Sequence, residues 1–384
     1  MKSTNRLRVS STGQEKGRYN VATETTKLHT ENNYIRKFTG VDRFHNAGYF
    51  GERVTAATGE NWSIKNYNPD DLVLIPFGDG YGWGNFSGGH GSKTAATFFQ
   101  VAPKARLVQL SRISRARTGK DCYCGLEDDC LPYIEEYGIT SVFCSFDMIC
   151  DKYLAQKYQT VIDGLGTFNM FVAAGNEYST DYVELARCDA VTTVGAYYIQ
   201  NNKAIPEDFS STTEYLDFSA PDSQVVKFAK ETGVTTYGKQ TGTSFAAPWL
   251  CGMACLVNDF FIDKTGKPLT HEAMMRFFRD HCVDIGAEGF DSKTGHGMVI
   301  LPEPSEINVW KYQTKEGGET MYKDENQISE WAKENVKYCN EHGIMEGDAD
   351  GKFRPQDFVT REELACTQAR LHKSILNIIR EMIK

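Results

Sequence analysis

Apolar runs alternate with segments of helical periodicity along most of the chain. Runs of strand character occur at residues 72–75, 107–110 and 168–174. Stretches of helical character occur at residues 93–100, 126–137 and 151–164. Strands and helices in alternation predict an α/β fold of three layers, in which helices cover both faces of a mostly parallel sheet. Functional residues in such folds lie beyond the carboxyl ends of the strands.

The longest apolar stretch begins with the small-residue turn Thr241-Gly-Thr-Ser-Phe-Ala-Ala-Pro248. This turn predicts a helix with Ser244 near its start and Pro248 in its first turn, where a proline needs no N–H donor. Backbone N–H groups at a helix start are unpaired, and the helix dipole is positive there. An oxyanion on a carbon attached to Ser244 Oγ would be stabilised at this position. Ser244 is therefore a candidate nucleophile.

Two further segments supply a base and an amide donor. Gly88-Gly-His90-Gly-Ser-Lys-Thr-Ala-Ala places a histidine between glycines at the head of a small-residue helix. The apolar strand Phe171-Val-Ala-Ala ends in Gly175-Asn176. An imidazole accepts the hydroxyl proton of a serine and returns it to a leaving amine. A side-chain amide such as that of Asn176 donates to the tetrahedral intermediate of acyl transfer.

These three segments resemble the serine, histidine and oxyanion-hole asparagine motifs of subtilisin-like serine proteases of the S8 family. The resemblance runs from about residue 40 to residue 303. It implies a subtilisin-like fold and a serine endopeptidase that forms an acyl-enzyme on Ser244, with His90 as the base. It also implies that Asn176 lies in the oxyanion hole. Ser92 stands where the family usually has threonine, a change that keeps the hydroxyl.

The acid of the triad departs from the family pattern. Residues 48–60 align without gaps with the family's aspartate segment, and the aspartate position falls on Glu60. A glutamate can still orient the imidazole, but its extra methylene moves the carboxylate. Asp79, eleven residues before His90 in a Gly-rich loop, is the alternative acid. A disabled triad is the third hypothesis. The order acid, histidine, serine is the order found in subtilisins.

The apolar strand at residues 139–144 ends in Ser145-Phe-Asp147. The family commonly has Ser-Leu-Gly at this place, where the strand end lines the substrate cleft. We therefore expect Ser145 and Asp147 to bind substrate, whose backbone would pair with this strand edge. The carboxylate of Asp147 would favour basic side chains at the P1 position by charge complementarity. The alternative interpretation of Asp147 is a solvated loop carboxylate.

A second module follows the linker that starts with Pro302-Glu-Pro-Ser. An amphipathic stretch from Trp331, a Gly-rich turn at 343–351 and the segment Val359-Thr-Arg361-Glu-Glu predict helix, turn and helix. The module resembles one S-layer homology (SLH) repeat. That resemblance implies binding of cell-wall polysaccharide or oligomerisation through the repeat. The predicted parts are an N-terminal extension at 1–39, a peptidase domain at 40–303, a linker at 304–320 and a helical SLH-like repeat at 321–384.

Net charge, cysteine content and one acidic segment limit the classes of partner and cofactor that we expect. The formal net charge of −9 argues against a nucleic-acid partner. The eleven cysteines are an odd number, and several lie in apolar segments, which indicates reduced thiols. We expect the chemistry to need no cofactor and no metal. Structural calcium has no support, because Asp348-Ala-Asp-Gly351 has a lysine at its fifth position and lacks the glutamate of a calcium loop at its twelfth.

The N-terminal residues show no apolar signal segment, and we expect no uncharged run of membrane-spanning length and no membrane insertion. Synthesis in the cytoplasm without a signal peptide is therefore expected, with cell-surface or phage-particle association after lysis. Two functions remain open on the sequence. One is an active serine endopeptidase that acts on peptide or protein substrates. The other, motivated by Glu60, is a disabled relative that binds or regulates partners or is associated with the cell wall.

Overall fold

The computed structural model describes residues 32–60, 74–75, 89–110, 113, 124–146, 150–178, 184–229, 235–312, 322–341, 343–348 and 350–383. The strands are β1 (Thr55–Thr58), β2 (Leu74–Ile75), β3 (Arg106–Gln109), β4 (Ile139–Cys144), β5 (Asn169–Ala173), β6 (Val191–Gln200), β7 (Lys203–Pro206), β8 (Phe218–Pro221), β9 (Gln224–Ala229), β10 (Thr235–Gln240), β11 (Cys282–Val283) and β12 (Met298–Val299). The helices are α1 (Val41–Asn46), α2 (His90–Val101), α3 (Leu131–Tyr137), α4 (Lys152–Leu165), α5 (Thr243–Thr265), α6 (His271–Asp280), α7 (Glu330–Glu341) and α8 (Arg361–Ile383). A helical segment at 32–38 precedes α1, and a π-helical turn at Leu126–Cys130 leads into α3.

Ten of the described strands form one large sheet in the order β11-β12-β8-β6-β5-β4-β1-β3-β2, with β7 paired to β6. Neighbouring strands from β12 to β3 are parallel, whereas β11, β7 and β2 run antiparallel to their partners. In this register Ala57 of β1 lies between Val108 of β3 and Val142 of β4. Strands β9 and β10 form a separate antiparallel ribbon. The prediction of an α/β fold with a mostly parallel sheet is confirmed.

Each central strand contributes to two hydrophobic cores, because successive side chains point to opposite faces of the sheet. Phe143 of β4 and Phe171 of β5 belong to the core that surrounds α5. Val142 and Val172, one position away on the same strands, belong to the core against α3 and α4. Since both faces are buried, these strands appear in the sequence as continuous apolar runs.

Helix α5 crosses the first core, and every residue from Phe245 to Phe261 is buried. By length and composition alone this helix is apolar enough to cross a membrane, but 94% of its most apolar window is buried inside the fold. The expectation that no uncharged run reaches such a length was wrong, since residues 241–258 carry no charged side chain. A helix surrounded by protein on all sides needs the same apolar composition as a membrane span.

The segment that leads into β1 is held by the buried Asp259 of α5. Its carboxylate accepts hydrogen bonds from the backbone N–H groups of Phe50, Gly51 and Arg53 at 3.1, 2.9 and 3.2 Å. The guanidinium of Arg53 neutralises it, with Nη1 at 3.0 Å from Oδ1. A buried carboxylate is stable only with such partners. The start of β1 is thereby anchored to α5.

Asp217, just before β8, carries a titratable group that the sequence analysis did not single out. The residue as a whole is half-buried, but its carboxyl group is enclosed by protein, and burial raises its pKa to about 7. A hydrogen bond from the N–H of Thr193, at 2.7 Å, acts in the opposite direction on this pKa. An aspartate in an unfolded chain has a pKa of about 4. Between these two values the folded protein keeps a proton that the unfolded chain has lost.

We expect Asp217 to make the protein less stable as the pH rises from about 4 to about 7, because a raised pKa in the folded state favours folding only while the group is protonated. In the Asp217→Asn variant this contribution is absent. The free energy of unfolding of the wild type should therefore fall relative to that of the variant by up to about 4 kcal/mol across this window. Calorimetric Tm values of both proteins at several pH values measure the difference. A constant difference from pH 4 to pH 7 would contradict the assignment.

The C-terminal module is the helix pair α7 and α8, with turns between them in residues 343–348 and 350–354. Its core contains Tyr322, Ile328 and Val336. The carboxylate of Asp324 holds the turn, because it accepts hydrogen bonds from the N–H groups of Phe353 and Arg354, each at 2.8 Å. The predicted sequence of helix, turn and helix is confirmed.

Candidate active site

The candidate site lies where three neighbouring parallel strands end. Glu60 follows β1 by two residues, Ser145 follows β4 directly, and Asn176 follows β5 by three residues. Strands β5, β4 and β1 are adjacent in the sheet, so their carboxyl ends bring these residues to one edge. The turn after β1 is held by a hydrogen bond of 3.1 Å from the N–H of Glu60 to Thr58 Oγ1.

His90 and Ser244 lie at the starts of two packed helices. His90 is the first residue of α2, and Ser244 is the second residue of α5. The helices approach closely at Gly252, where a Cβ atom would lie 2.7 Å from Val101 Cβ. The His90 ring centroid is 6.0 Å from that of Phe245, the residue after Ser244. The packing of α2 on α5 therefore places the imidazole beside the helix start that carries the hydroxyl.

Glu60 is in contact with His90. The distance from His90 Nδ1 to Glu60 Oε1 is 3.0 Å. The Glu60 side chain is 9% exposed, and none of the described groups, His90 included, donates an aligned hydrogen bond to its buried Oε1. The imidazole therefore meets this oxygen as a close ion-pair contact, and a small rotation of the ring would align it for a hydrogen bond. With Nδ1 against the carboxylate, Nε2 is the nitrogen left for a proton acceptor role. The glutamate reaches the imidazole despite its extra methylene.

Ser244 and Ser145 exchange two hydrogen bonds. Ser145 Oγ donates to the carbonyl oxygen of Ser244 at 2.8 Å, and Ser244 Oγ donates to the carbonyl oxygen of Ser145 at 3.2 Å. The second bond directs the hydroxyl hydrogen of Ser244 at Ser145. The hydroxyl must therefore rotate before His90 can accept its proton.

The position of Pro248 explains the first of these bonds. Helix α5 begins at Thr243, so Pro248 is its sixth residue, and the prediction that it lies in the first turn was wrong. In an α-helix the N–H of residue 248 would bond to the carbonyl oxygen of residue 244. Proline has no N–H, so this carbonyl needs another donor. Ser145 Oγ is that donor, and it thereby ties the end of β4 to the start of α5.

Asn176 is oriented by Thr243, the residue before Ser244. Asn176 Oδ1 accepts hydrogen bonds from the N–H of Thr243 at 2.9 Å and from its Oγ1 at 3.0 Å. These donors identify the oxygen of the amide and leave its NH₂ group to donate elsewhere. Gly242 has a φ of 131°, which favours glycine, and a Cβ there would lie 3.6 Å from Asn176 Oδ1. The arrangement suits an oxyanion hole formed by Asn176 Nδ2 and the N–H of Ser244.

We expect Asn176→Ala to lower kcat by about 10²- to 10³-fold with little change in KM, because an oxyanion donor acts on charge that forms only in the transition state. Steady-state kinetics on a peptide substrate separates the two constants. Thr243→Val is the matched control, since it removes one of the two hydrogen bonds that orient the amide and should cost less. A raised KM with unchanged kcat would instead assign Asn176 to substrate binding.

Asp222 supports the same turn, although the sequence analysis did not identify it. It is fully buried, and its Oδ2 accepts a hydrogen bond from the N–H of Gly242 at 3.0 Å. Burial raises the pKa of Asp222, and the hydrogen bond from the N–H of Gly242 lowers it by a smaller amount. The sequence could have indicated this residue, because Asp222 directly follows Pro221, the last residue of β8, and functional residues often lie at the carboxyl ends of such strands. Its carboxylate holds the backbone that leads to Ser244.

Two residues named from the sequence lie outside the described residues: Asp79, the alternative acid, and Asp147, the predicted P1 determinant. Over the part of the chain that the structure describes, no group of three or more His, Cys, Asp or Glu side chains is arranged to hold a metal ion. A carboxylate, an imidazole and a hydroxyl at a helix start can together catalyse acyl transfer through a serine nucleophile. The fold and the site thus define the class as an α/β protein with a serine-hydrolase arrangement.

Comparisons with known proteins identify the family within this class. Residues 150–297 match the Subtilase family, and residues 322–365 match the S-layer homology domain. The chain therefore contains a subtilase-family serine peptidase domain and, near its C-terminus, an S-layer homology domain. The matched subtilase segment includes Asn176 and Ser244. Glu60 and His90 precede it, so their assignment rests on the geometry above.

Solved structures share the fold. A crystal structure of a lanthipeptide protease aligns with a TM-score of 0.55 at 16% identity, over 73% of this chain and 95% of that one. Fervidolysin from Fervidobacterium pennivorans, a keratinolytic enzyme related to subtilisin, aligns with a TM-score of 0.51 at 17% identity, over 72% of this chain and 47% of that one. At these identities the likeness concerns the fold alone. Curated proteins gave no match to the chain.

The S-layer homology domain has a groove of about 500 Å³ between its turn and the start of α8. Arg354 lies in this groove and pairs with Glu363 at 2.6 Å and with Asp348 at 3.2 Å. Hydrogen bonds from the N–H of Thr360 and from Arg354 lower the pKa of Glu363 to about 2. Arg361 is exposed at the start of α8, outside the groove lining. A domain of this family implies binding to the cell wall.

Proposed function

We propose that the protein is a serine endopeptidase that hydrolyses peptide bonds through an acyl-enzyme on Ser244, with His90 as the base and Glu60 as the orienting acid. The observation that carries the proposal is the 3.0 Å contact between His90 Nδ1 and the buried Oε1 of Glu60. A buried carboxylate at this place stabilises the imidazolium that forms when His90 accepts a proton. It also selects the tautomer in which Nε2 is the base.

Acylation begins when the hydroxyl of Ser244 turns from the Ser145 carbonyl to His90 Nε2. His90 takes the proton as Ser244 Oγ attacks the carbonyl carbon of the substrate. The oxyanion that forms accepts hydrogen bonds from Asn176 Nδ2 and from the N–H of Ser244. The C–N bond then breaks, His90 gives the proton to the leaving amine, and an ester remains on Ser244. In deacylation a water molecule gives a proton to His90 as its oxygen attacks the ester carbon. His90 then gives this proton to Ser244 Oγ as the bond between Oγ and the acyl carbon breaks, and the carboxylic acid product leaves.

The strand end at Ser145 is the proposed docking edge for the substrate backbone. The carbonyl oxygen of Ser145 accepts a hydrogen bond from the hydroxyl of Ser244 in this structure. A substrate N–H that donates to the same oxygen would displace the Ser244 hydroxyl, which would then be free to donate to His90. Binding of the peptide and activation of the nucleophile would thus be linked. The preference for a basic P1 residue through Asp147 stays a prediction.

The alternative function, a disabled peptidase that binds or regulates partners, was motivated by the replacement of aspartate by Glu60. A longer side chain disables a triad when its carboxylate cannot reach the imidazole in a productive position. Here the carboxylate lies 3.0 Å from His90 Nδ1. The longer side chain therefore still brings its carboxylate to the imidazole, which supports an active enzyme over this alternative.

We also propose that the S-layer homology domain brings the peptidase to the cell wall, at a cell surface or on a phage particle after lysis. The domain match and the groove beside α8 support this placement. Co-sedimentation of the full chain with isolated cell walls tests it. A protein that stays in the supernatant at low ionic strength would contradict the proposal.

Covalent labelling with a fluorophosphonate probe tests the proposed chemistry. The wild type should gain one adduct by intact-mass measurement, and peptide mapping should locate it on Ser244. Ser244→Ala should gain none, whereas Ser145→Ala, the matched control, keeps the nucleophile and should still be labelled. A wild type that forms no adduct between mildly acid and alkaline pH would contradict the proposal and favour the disabled peptidase.

A further inference from the structure

Gly59, the residue between β1 and Glu60, has no room for a side chain. A Cβ atom on it would lie 2.5 Å from Ile113 Cγ2, 2.9 Å from Phe146 Cζ and 3.0 Å from Cys144 Sγ. Carbon atoms in ordinary contact are about 3.5–4.0 Å apart. Ile113 and Cys144 are also fully buried. The backbone at Gly59 therefore lies closer to these side chains than any other residue type would allow.

The two buried neighbours of Gly59 are held in place. Cys144 is the last residue of β4, which lies between β1 and β5 in the sheet. The carbonyl oxygen of Ile113 accepts a hydrogen bond of 2.9 Å from Tyr158 Oη in α4. Gly59 itself follows the end of β1, and its N–H donates to the carbonyl oxygen of Phe143 at 3.0 Å. A side chain at position 59 would therefore move the turn beyond β1 rather than the packed core.

Gly59 and Glu60 face opposite sides of the sheet. Side chains along β1 alternate, so Ala57 belongs to the core against α3 and α4, and Ala56 to the core that surrounds α5. The three neighbours of Gly59 pack in or against the first of these cores. Glu60 contacts His90, the first residue of α2, and α2 packs in the second. A shift of Gly59 away from its neighbours would thus push Glu60 toward His90.

We propose that Gly59 is a positioning residue that adapts the site to a glutamate. The inference rests on the proposed function, in which Glu60 orients His90. The extra methylene lengthens the side chain by up to about 1.5 Å, the length of a C–C bond. To bring a Cβ at position 59 from 2.5 Å to an ordinary contact distance, the backbone would have to move by about 1 Å. The absence of a side chain at 59 therefore offsets most of the extra length of Glu60.

Combining Gly59→Ala with Glu60→Asp tests this proposal. Gly59→Ala should lower kcat by about 10- to 10²-fold, because it pushes the longer side chain past its position against His90. Glu60→Asp should lower kcat by about 10²-fold, because its carboxylate falls short. The two displacements oppose each other in the double variant, so its kcat should be at least about tenfold higher than that of Glu60→Asp alone. Steady-state kinetics on one peptide substrate measures kcat, and KM should change little.

Gly138→Ala is the matched control. Gly138 has a φ of 57°, so alanine there costs stability, but no described atom lies within 4 Å of its Cβ position. It precedes β4, at the opposite edge of the sheet from the site. This variant should lower Tm and leave kcat unchanged. If Glu60→Asp gained nothing from Gly59→Ala, or gained as much from Gly138→Ala, the inference would be overturned.

Crystal structures of the same proteins give a readout that does not depend on activity. The carboxylate at position 60 should lie near the wild-type distance of 3.0 Å from His90 Nδ1 in the double variant and should be displaced in each single variant. An unmoved carboxylate in Gly59→Ala would contradict the inference, whereas an inactive wild type with the expected displacements would contradict the proposed function alone. If Gly59→Ala does not fold, Ile113→Ala is added to remove the nearest atom, and this pair should keep the carboxylate in its wild-type place. A displaced carboxylate in that pair would also contradict the inference.

Discussion

Replacement of Ser244 by alanine is expected to lower kcat for peptide hydrolysis by about 10⁶-fold, the scale known for loss of the nucleophile in subtilisin. Without Oγ no acyl-enzyme forms, and the remaining rate enhancement comes from substrate binding and the oxyanion hole alone. The substitution leaves the backbone N–H at the start of α5 and the carbonyl that accepts Ser145 Oγ in place. Substrate affinity should therefore change little while turnover is lost.

Prolonged incubation with a peptide substrate and chromatographic detection of products measures this loss. Ser145→Ala is a suitable comparison, because it removes a neighbouring hydroxyl but keeps the nucleophile. Contaminating peptidase is excluded by titrating the active sites with the fluorophosphonate probe. If Ser244→Ala retained more than about 1% of the wild-type kcat, which corresponds to a loss of under about 3 kcal/mol, the nucleophile would lie elsewhere.

The second large effect on kcat is expected from substitution of Glu60. Glu60→Gln keeps the size of the side chain but loses its charge, so it cannot stabilise the imidazolium of His90 and can favour the wrong tautomer. We expect kcat to fall by about 10⁴-fold, with little change in KM. Glu60→Asp keeps the charge but withdraws the carboxylate by one methylene from the 3.0 Å contact with His90 Nδ1. A loss of about 10²-fold is expected for this displacement.

Asp79→Asn is the matched control for Glu60, because Asp79 was the alternative acid in the sequence. Steady-state kinetics of the three variants on one substrate should show a full rate for Asp79→Asn and the two graded losses for Glu60. The reverse ranking, a loss of about 10⁴-fold for Asp79→Asn and a small one for Glu60→Gln, would transfer the orienting role to Asp79.

Much of the fold and part of the site could be predicted from local sequence. The strands around residues 107 and 168 and the helix that starts near Ser244 follow from apolar periodicity and small-residue turns, which act over a few positions. Parallel strands deliver their carboxyl ends to one edge of the sheet, so Glu60, Ser145 and Asn176 could be expected on the same side. The structure places these three residues after β1, β4 and β5.

The remaining features depend on contacts between distant segments. The prediction for Pro248 assumed a helix that begins later than Thr243, and the donor that replaces the missing N–H comes from Ser145, 99 positions away. Asp222 supports Gly242 from another strand end, 20 positions away. No local pattern encodes such pairings. The prediction that no uncharged run reaches membrane-spanning length was wrong at residues 241–258. This run is apolar because it is buried in the core, and burial in a core requires the same composition as insertion in a membrane.

The central claim is that Glu60, His90 and Ser244 act as one catalytic unit, and a double-mutant cycle of labelling rates tests it most directly. The rate constant for fluorophosphonate modification of Ser244 is measured in the wild type, Glu60→Gln, His90→Ala and the double variant. If Glu60 acts through His90, its substitution should cost about 10⁴-fold in the wild-type background and almost nothing in the His90→Ala background, since members of one unit are not additive. Equal losses in both backgrounds, or no loss in either, would contradict the claim.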